Sequence, residues 1–181
     1  MTGQQTIEIQ ALPQSVEEFV TLRDQIAQTP QGGATVMIVA LLAYAEDEQV
    51  GQACLTVAVD RDRLQEGSKG YKGWQLRNTD LGRIRSQLAG RAYLPKSYIQ
   101  GASPENGYAL PDPPYVFDFS SNPYSGDPET GTYKVFVACS GASSPRPVTT
   151  KRNDKGIWKA SEWSSLIVGV QAPQQDVSDD L

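Results

Sequence analysis

The sequence predicts an α+β fold with N-terminal helices packed on a C-terminal antiparallel β-meander. Three observations lead there. From Ser15 to Gly90 apolar side chains recur at helical spacing behind recognisable caps. From Thr132 to Gln171 apolar and polar residues alternate around a hairpin-turn sequence, with Val, Tyr, Phe and Trp enriched. Helices come first and strands after, without the βαβ alternation of a parallel sheet. A chain of 181 residues suits one such domain, over 1–173, followed by a disordered acidic tail at 174–181.

The elements follow in order. Ser15 with Glu18 three residues on reads as a capping box. Val16, Phe19, Leu22 and Ile26 share one face behind it, and Pro30 ends the segment, so a helix is expected over 15–28. Ala34 to Ala45 is apolar on every side and therefore buried. Its length and alanines favour helix over strand. Glu46, Asp47 and Glu48 would oppose the dipole at a helix C-terminus, so they open a next helix at 47–58, with a strand at 53–59 as the alternative. Arg61 to Gly73 reads as a polar loop. Leu81, Ile84 and Leu88 repeat at helical spacing between Thr79 and Gly90.

Seven of the twelve prolines then fall between Pro95 and Pro128, together with Tyr98, Tyr108, Tyr115 and Tyr124. So many aromatics imply a long loop ordered over the fold, interrupted by a strand from Tyr115 to Phe119. Strands are expected at Thr132 to Cys139, Pro147 to Arg152, Ile157 to Trp163 and Ser165 to Gln171, with Asn153-Asp-Lys-Gly156 as a hairpin turn. On the strand after that turn, Trp158 and Ala160 face one way and Ile157 and Lys159 the other. Trp158 is expected in the core, against the helix of 34–45.

Several kinds of chemistry are excluded. The chain has no histidine, hence no Ser-His-Asp triad, no Cys-His pair and no His-bound zinc. Glycine-rich nucleotide loops and calcium loops are absent, so no cofactor or metal is expected. No apolar run reaches membrane-spanning length. The N-terminus lacks the charge and apolar pattern of an export signal, and Cys54 and Cys139 match no metal spacing; a cytoplasmic protein with two reduced, buried thiols is expected.

Charge is segregated along the chain. Residues 1–60 carry eight acids and one base, and residues 61–97 nine bases and three acids. Pairing of these segments across the fold is the plainest outcome. A net charge of −5 disfavours nucleic acid as a partner. Around the hairpin turn, Arg146, Lys151, Arg152 and Lys155 are candidates for an acidic-partner or anion site. The favoured reading of the turn's basic residues is as guards against edge-to-edge strand pairing. In the loop over 98–131, Tyr108 and Tyr124 are candidate pocket residues. Its acids Asp112, Asp118, Asp127 and Glu129 could pair for acid–base work, although Asp112-Pro113 and Asp127-Pro128 are ordinary turn formers.

Three stretches together carry a family likeness: "TPQGGATVMIVALLAYAEDEQVGQACLTVAVD", "SYIQGASPENGYALP" and "YKVFVACSGASSPRPVTTKRNDKGIWKASEWSSLIVGVQAP". Over about residues 28–173 the chain resembles a family of uncharacterised bacterial proteins defined only as a domain of unknown function. The resemblance implies a bacterial source and a compact domain, and brings no activity or site residue with it. The residues themselves favour a soluble, non-enzymatic accessory protein that docks on a protein partner through complementary charge. The alternative is an enzyme or small-molecule binder whose pocket wall is loop 98–131.

Overall fold

The computed structural model describes residues 4–174. The chain opens with a strand, β1 (Gln4–Ile9), in a stretch with no expected element. Helix α1 (Val16–Ile26) follows its cap as expected: the Ser15 hydroxyl accepts from the Glu18 N–H at 3.1 Å. The Glu18 carboxylate reaches back one residue further than a standard box, to the Gln14 N–H at 2.7 Å. α1 ends at Ile26, before the proline expected to stop it, and Pro30 instead begins helix α2 (Pro30–Glu46), because proline suits the first helical position and Thr29 caps it. Helix α3 (Glu48–Ala58) is capped by Asp47, whose carboxylate accepts from the N–H groups of Gln49 and Val50. The acidic run therefore opens a helix, and no strand forms at 53–59.

The expected polar loop after α3 is instead a hairpin, β2 (Leu64–Tyr71) and β3 (Trp74–Leu76). Its turn residues Lys72 and Gly73 both have positive φ, 51° and 84°, which matches the twist of a tight two-residue hairpin. Helix α4 (Asn78–Leu88) buries Leu81, Ile84 and Leu88. Strands β4 (Tyr115–Ser120), β5 (Thr132–Val137), β6 (Arg146–Arg152) and β7 (Trp158–Glu162) form the meander. With β1 they make one antiparallel sheet in the order β1-β4-β5-β6-β7.

Twelve of the 17 residues of α2 are buried, so this helix is enclosed on all sides. The sheet covers one side with Phe117, Phe119, Val135, Val137, Val148 and Ala160, all at most 2% exposed, while α1 and α3 cover others. Trp158 is buried at 4% exposure. A Cβ on Gly33 of α2 would lie 2.6 Å from its carbonyl oxygen and 2.8 Å from its Cβ, so only glycine lets helix and strand approach this closely. The Trp158 N–H donates to the Ala27 carbonyl at the end of α1, at 2.8 Å. The tryptophan thus joins β7 to two helices. Trp163 lies in the main apolar core.

The strand expected at Ser165 to Gln171 does not form. A short 3-10 turn, Ser164–Ile167, stands there. Side chains take its carbonyls in place of a ladder: Tyr98 donates to Leu166 at 2.5 Å, and the Arg146 guanidinium donates to Ser165, Val168 and Gly169 at 2.8, 2.5 and 3.0 Å. Of the tail expected to be disordered, all but Gln174 lies outside the described residues.

Candidate functional site

The four basic residues singled out around the β6–β7 turn do not converge. Arg146 and Lys151 stand at opposite ends of β6, roughly 16 Å apart at strand spacing. Arg146 is committed to its three carbonyls. Lys151 lies 3.5 Å from Asp62, and Arg152 lies over the Trp158 ring, 5.5 Å from its centroid. Lys155 stands exposed at the turn itself. The two tyrosines separate as well. Tyr108 is 1% exposed, stacks on Tyr93 and donates to the Gln171 carbonyl, which latches the C-terminal segment to the loop. Tyr124 is 83% exposed.

Two other regions gather chemical groups. The first is an open cleft of about 570 Å³ where β4 and β5 part. Those strands pair only at Phe119–Val137 and Ser120–Phe136, with one further bond from the Ala138 N–H to the Asp118 carbonyl. Asp118 faces this cleft and a smaller adjoining one floored by Ser97, Gly101 and Cys139. Its carboxylate has no hydrogen-bond or ion-pair partner among the described residues. Neither Asp112, Asp127 nor Glu129 lines either cavity. Asp127 caps a short 3-10 turn through the Glu129 N–H. Acid–base work by two carboxylates therefore has no geometry here.

The second region is the β2–β3 hairpin with α4. It carries most of the basic middle segment, and the cross-fold pairing expected for it is largely absent. Among the described residues one ion pair joins residues 1–60 to residues 61–97, Glu48 with Arg85 at a loose 3.9 Å. Arg63 pairs instead with Glu162 at 3.2 Å. The exposed Arg61, Lys69, Lys72, Arg77, Arg83 and Arg91 have no carboxylate within ion-pair distance among the described residues. Arg61 lies over Trp74 at 5.7 Å and Lys72 over Tyr71 at 5.3 Å, so the hairpin presents aromatic rings flanked by cations. Its sequence signal was the charge count; the glycines of "EGSKGYKG" masked the strands.

Lys159 is a half-buried exception. On β7, its ammonium donates to the Val57 carbonyl near the end of α3. Burial, then the neighbouring Arg23, lowers its pKa to about 8, against the pull of Asp60 and Asp24. Cys54 and Cys139 are unbridged and buried. Burial and Glu17 push the Cys54 thiol up to about 12, which makes it a poor nucleophile. Among the described residues no cluster of three or more His, Cys, Asp or Glu could hold a metal ion, and no helix is long and apolar enough to cross a membrane.

No curated protein and no solved structure matches this chain. A family model does match, over residues 11–174, from the strand-to-helix connection before α1 to the end of the described chain. The chain therefore belongs to the family described as Domain of unknown function (DUF6935).

Proposed function

We propose that the chain is a non-enzymatic docking component of a bacterial, cytoplasmic assembly, and that the β2–β3 hairpin and α4 bind an acidic surface on a protein partner. The observation that carries this reading is that Arg61, Lys69, Lys72, Arg77, Arg83 and Arg91 are exposed and have no ion-pair partner among the described residues, with Arg61 over Trp74 and Lys72 over Tyr71. Unpaired charge of one sign steers association with an oppositely charged surface, and aromatic and Arg side chains are the usual anchors of such contacts. A protein is favoured over nucleic acid because the chain as a whole is acidic. Two free, buried thiols suit a reducing compartment.

The test is affinity capture of the full chain from nuclease-treated cells of the source organism, beside a Lys69→Glu/Lys72→Glu variant. Both side chains are exposed, so the fold should survive. The expected result is an acidic partner, held in a salt-sensitive way and lost with the variant. Equal capture by both proteins would refute the hairpin's role.

The unpartnered Asp118 favours one second reading, a small-molecule cleft walled by loop 98–131. A donor-rich ligand such as a polyol or amine fits a carboxylate ringed by Ser and Gln side chains. Thermal-shift screening of polyols and amines against wild type and Asp118→Asn tests it. Stabilisation of wild type alone supports the cleft, and no stabilisation removes it.

A further inference from the structure

The two edges of the main sheet are treated differently. At the β7 edge the chain after α3 lies alongside: Val59 bridges Ala160, the Asp60 N–H donates to the Ala160 carbonyl at 2.7 Å, and Arg63 donates to the Ser161 carbonyl. That edge is covered. Among the described residues nothing pairs along the β1 edge. Gln4–Ile9 pairs with β4 in unbroken register, from Gln4–Ser120 to Ile9–Tyr115. Among the described residues its backbone bonds to nothing else. Of the usual guards "QQTIEI" has only the charge of Glu8, with no proline, no lysine and no bulge.

At the C-terminal end of this strand is a groove of about 470 Å³ between residues 8–13 and α1. No residue of β4 lines it; Glu8 and Ile9 are its residues from β1. Half-buried Leu12, Leu22 and Ile26 form its apolar part. Its charged lining residues are Glu8 and Glu18, both acids. Glu18 is engaged by the Gln14 N–H, whereas Glu8 is exposed and has no partner among the described residues. An open strand edge beside an apolar groove is the geometry of peptide recognition by strand addition: main-chain bonds supply affinity, and the groove selects a side chain.

The charge decides among occupants. A second copy placed edge to edge would bring this acidic, N-terminal region against its own image, and residues 1–60 carry a net charge of −7, from one base and eight acids. An acidic peptide meets the same repulsion. We infer that β1 accepts an extended peptide of another protein as a sixth strand of the sheet, with an aliphatic side chain in the Leu12–Leu22–Ile26 groove and a Lys or Arg facing Glu8. This goes beyond the docking role of the β2–β3 hairpin, which is basic and would take the opposite charge.

The experiment uses the full chain as bait for a phage-displayed library of random dodecapeptides. Enriched sequences are synthesised and titrated against wild type, Glu8→Lys, Thr21→Arg and Lys69→Glu/Lys72→Glu. Glu8 and Thr21 are exposed, so both single variants should fold, which circular dichroism checks. The expected peptides combine Lys or Arg with an aliphatic residue. Glu8→Lys should weaken them at least tenfold, Thr21→Arg should fill the groove and do likewise, and the hairpin variant should bind as wild type does. Hydrogen exchange on the complex should show new protection at the backbone amides of β1, which contact through side chains alone would not give. Enrichment of acidic peptides, no enrichment over a bait-free control, protection elsewhere than β1, or a homodimer abolished by Glu8→Lys would each overturn the inference.

Discussion

At Gly33 two opposing effects can be weighed. Replacing glycine by alanine within a helix ordinarily gains about 1 kcal/mol. Here the added methyl would meet the Trp158 backbone at 2.6 Å. A strand held by Arg152 pairing on one side and the Ala27 bond on the other cannot step aside cheaply. Gly33→Ala should therefore lower stability, by about 1 to 3 kcal/mol for an overpacked contact. Trp158→Ala, which keeps those backbone and Cβ atoms and removes the buried ring, should cost about 3 to 5 kcal/mol. A change in melting temperature below about 2 °C for the tryptophan variant would show that its ring packs against little. Burial of Trp158 was legible from strand alternation. So was its partner helix, but not the contact residue, because Gly33 looks like a mere breaker until β7 is laid across it.

Lys159 shows the same limit in its charge. Alternation put it opposite Trp158, on a face that reads as solvated, but the ends of α1 and α3 close over it. Its folded pKa of about 8 lies below the ordinary 10.5, so between these values the unfolded chain binds more protons than the folded one. Stability from this group is complete above pH 10.5 and lost as pH falls through 8. At about 1.4 kcal/mol per unit the whole span is on the order of 3 kcal/mol. Wild type should gain stability relative to Lys159→Met between pH 7 and pH 10, measured by denaturant unfolding of both proteins at each pH. A constant difference would mean that the amine titrates normally.

Among the elements, those fixed by local chemistry were readable and those fixed at long range were not. Helices α1, α2 and α3 follow from Ser15, from the apolar run after Pro30 and from Asp47, each acting within a few residues of its own helix. The β2–β3 hairpin hides because Lys72 takes a positive φ usually left to Gly or Asn, so the turn lacks the usual hairpin dipeptide. The segment after Trp163 has a strand's composition, but the edge of the preceding β7 is already taken by Val59 and Asp60. Arg146 and Tyr98 satisfy its carbonyls instead. This places Arg146 among the residues that hold the fold. Arg146→Gln should release the end of the chain and cost about 2 kcal/mol, since hydrogen bonds from a charged group are worth more than neutral ones. Limited proteolysis should then cut the variant first after Trp163. Unchanged proteolysis would mean that the 3-10 turn is held without the clamp.

Over the whole molecule, burial and charge are arranged around one helix. α2 is enclosed by the sheet, α1 and α3, while β1 and the β2–β3 hairpin each keep an open side. The hairpin is two strands resting on α3, and two-stranded ribbons have little stability of their own. Local openings should therefore be ranked by position. Amides in the buried stretch of α2 should exchange only when the whole domain unfolds, with the free energy found by denaturant titration. Amides of Leu64–Tyr71 and the outward amides of β1 should exchange by smaller openings, well below that value. Native-state hydrogen exchange in low denaturant measures each class separately. The ranking matters for binding, because both proposed docking elements lie at the weakly held rim, where closing on a partner costs the core nothing. If the hairpin amides exchanged as slowly as those of α2, the hairpin would be part of the cooperative core. Its exposed bases would then sit on a rigid surface, and binding should leave the exchange of α3 beneath it unchanged.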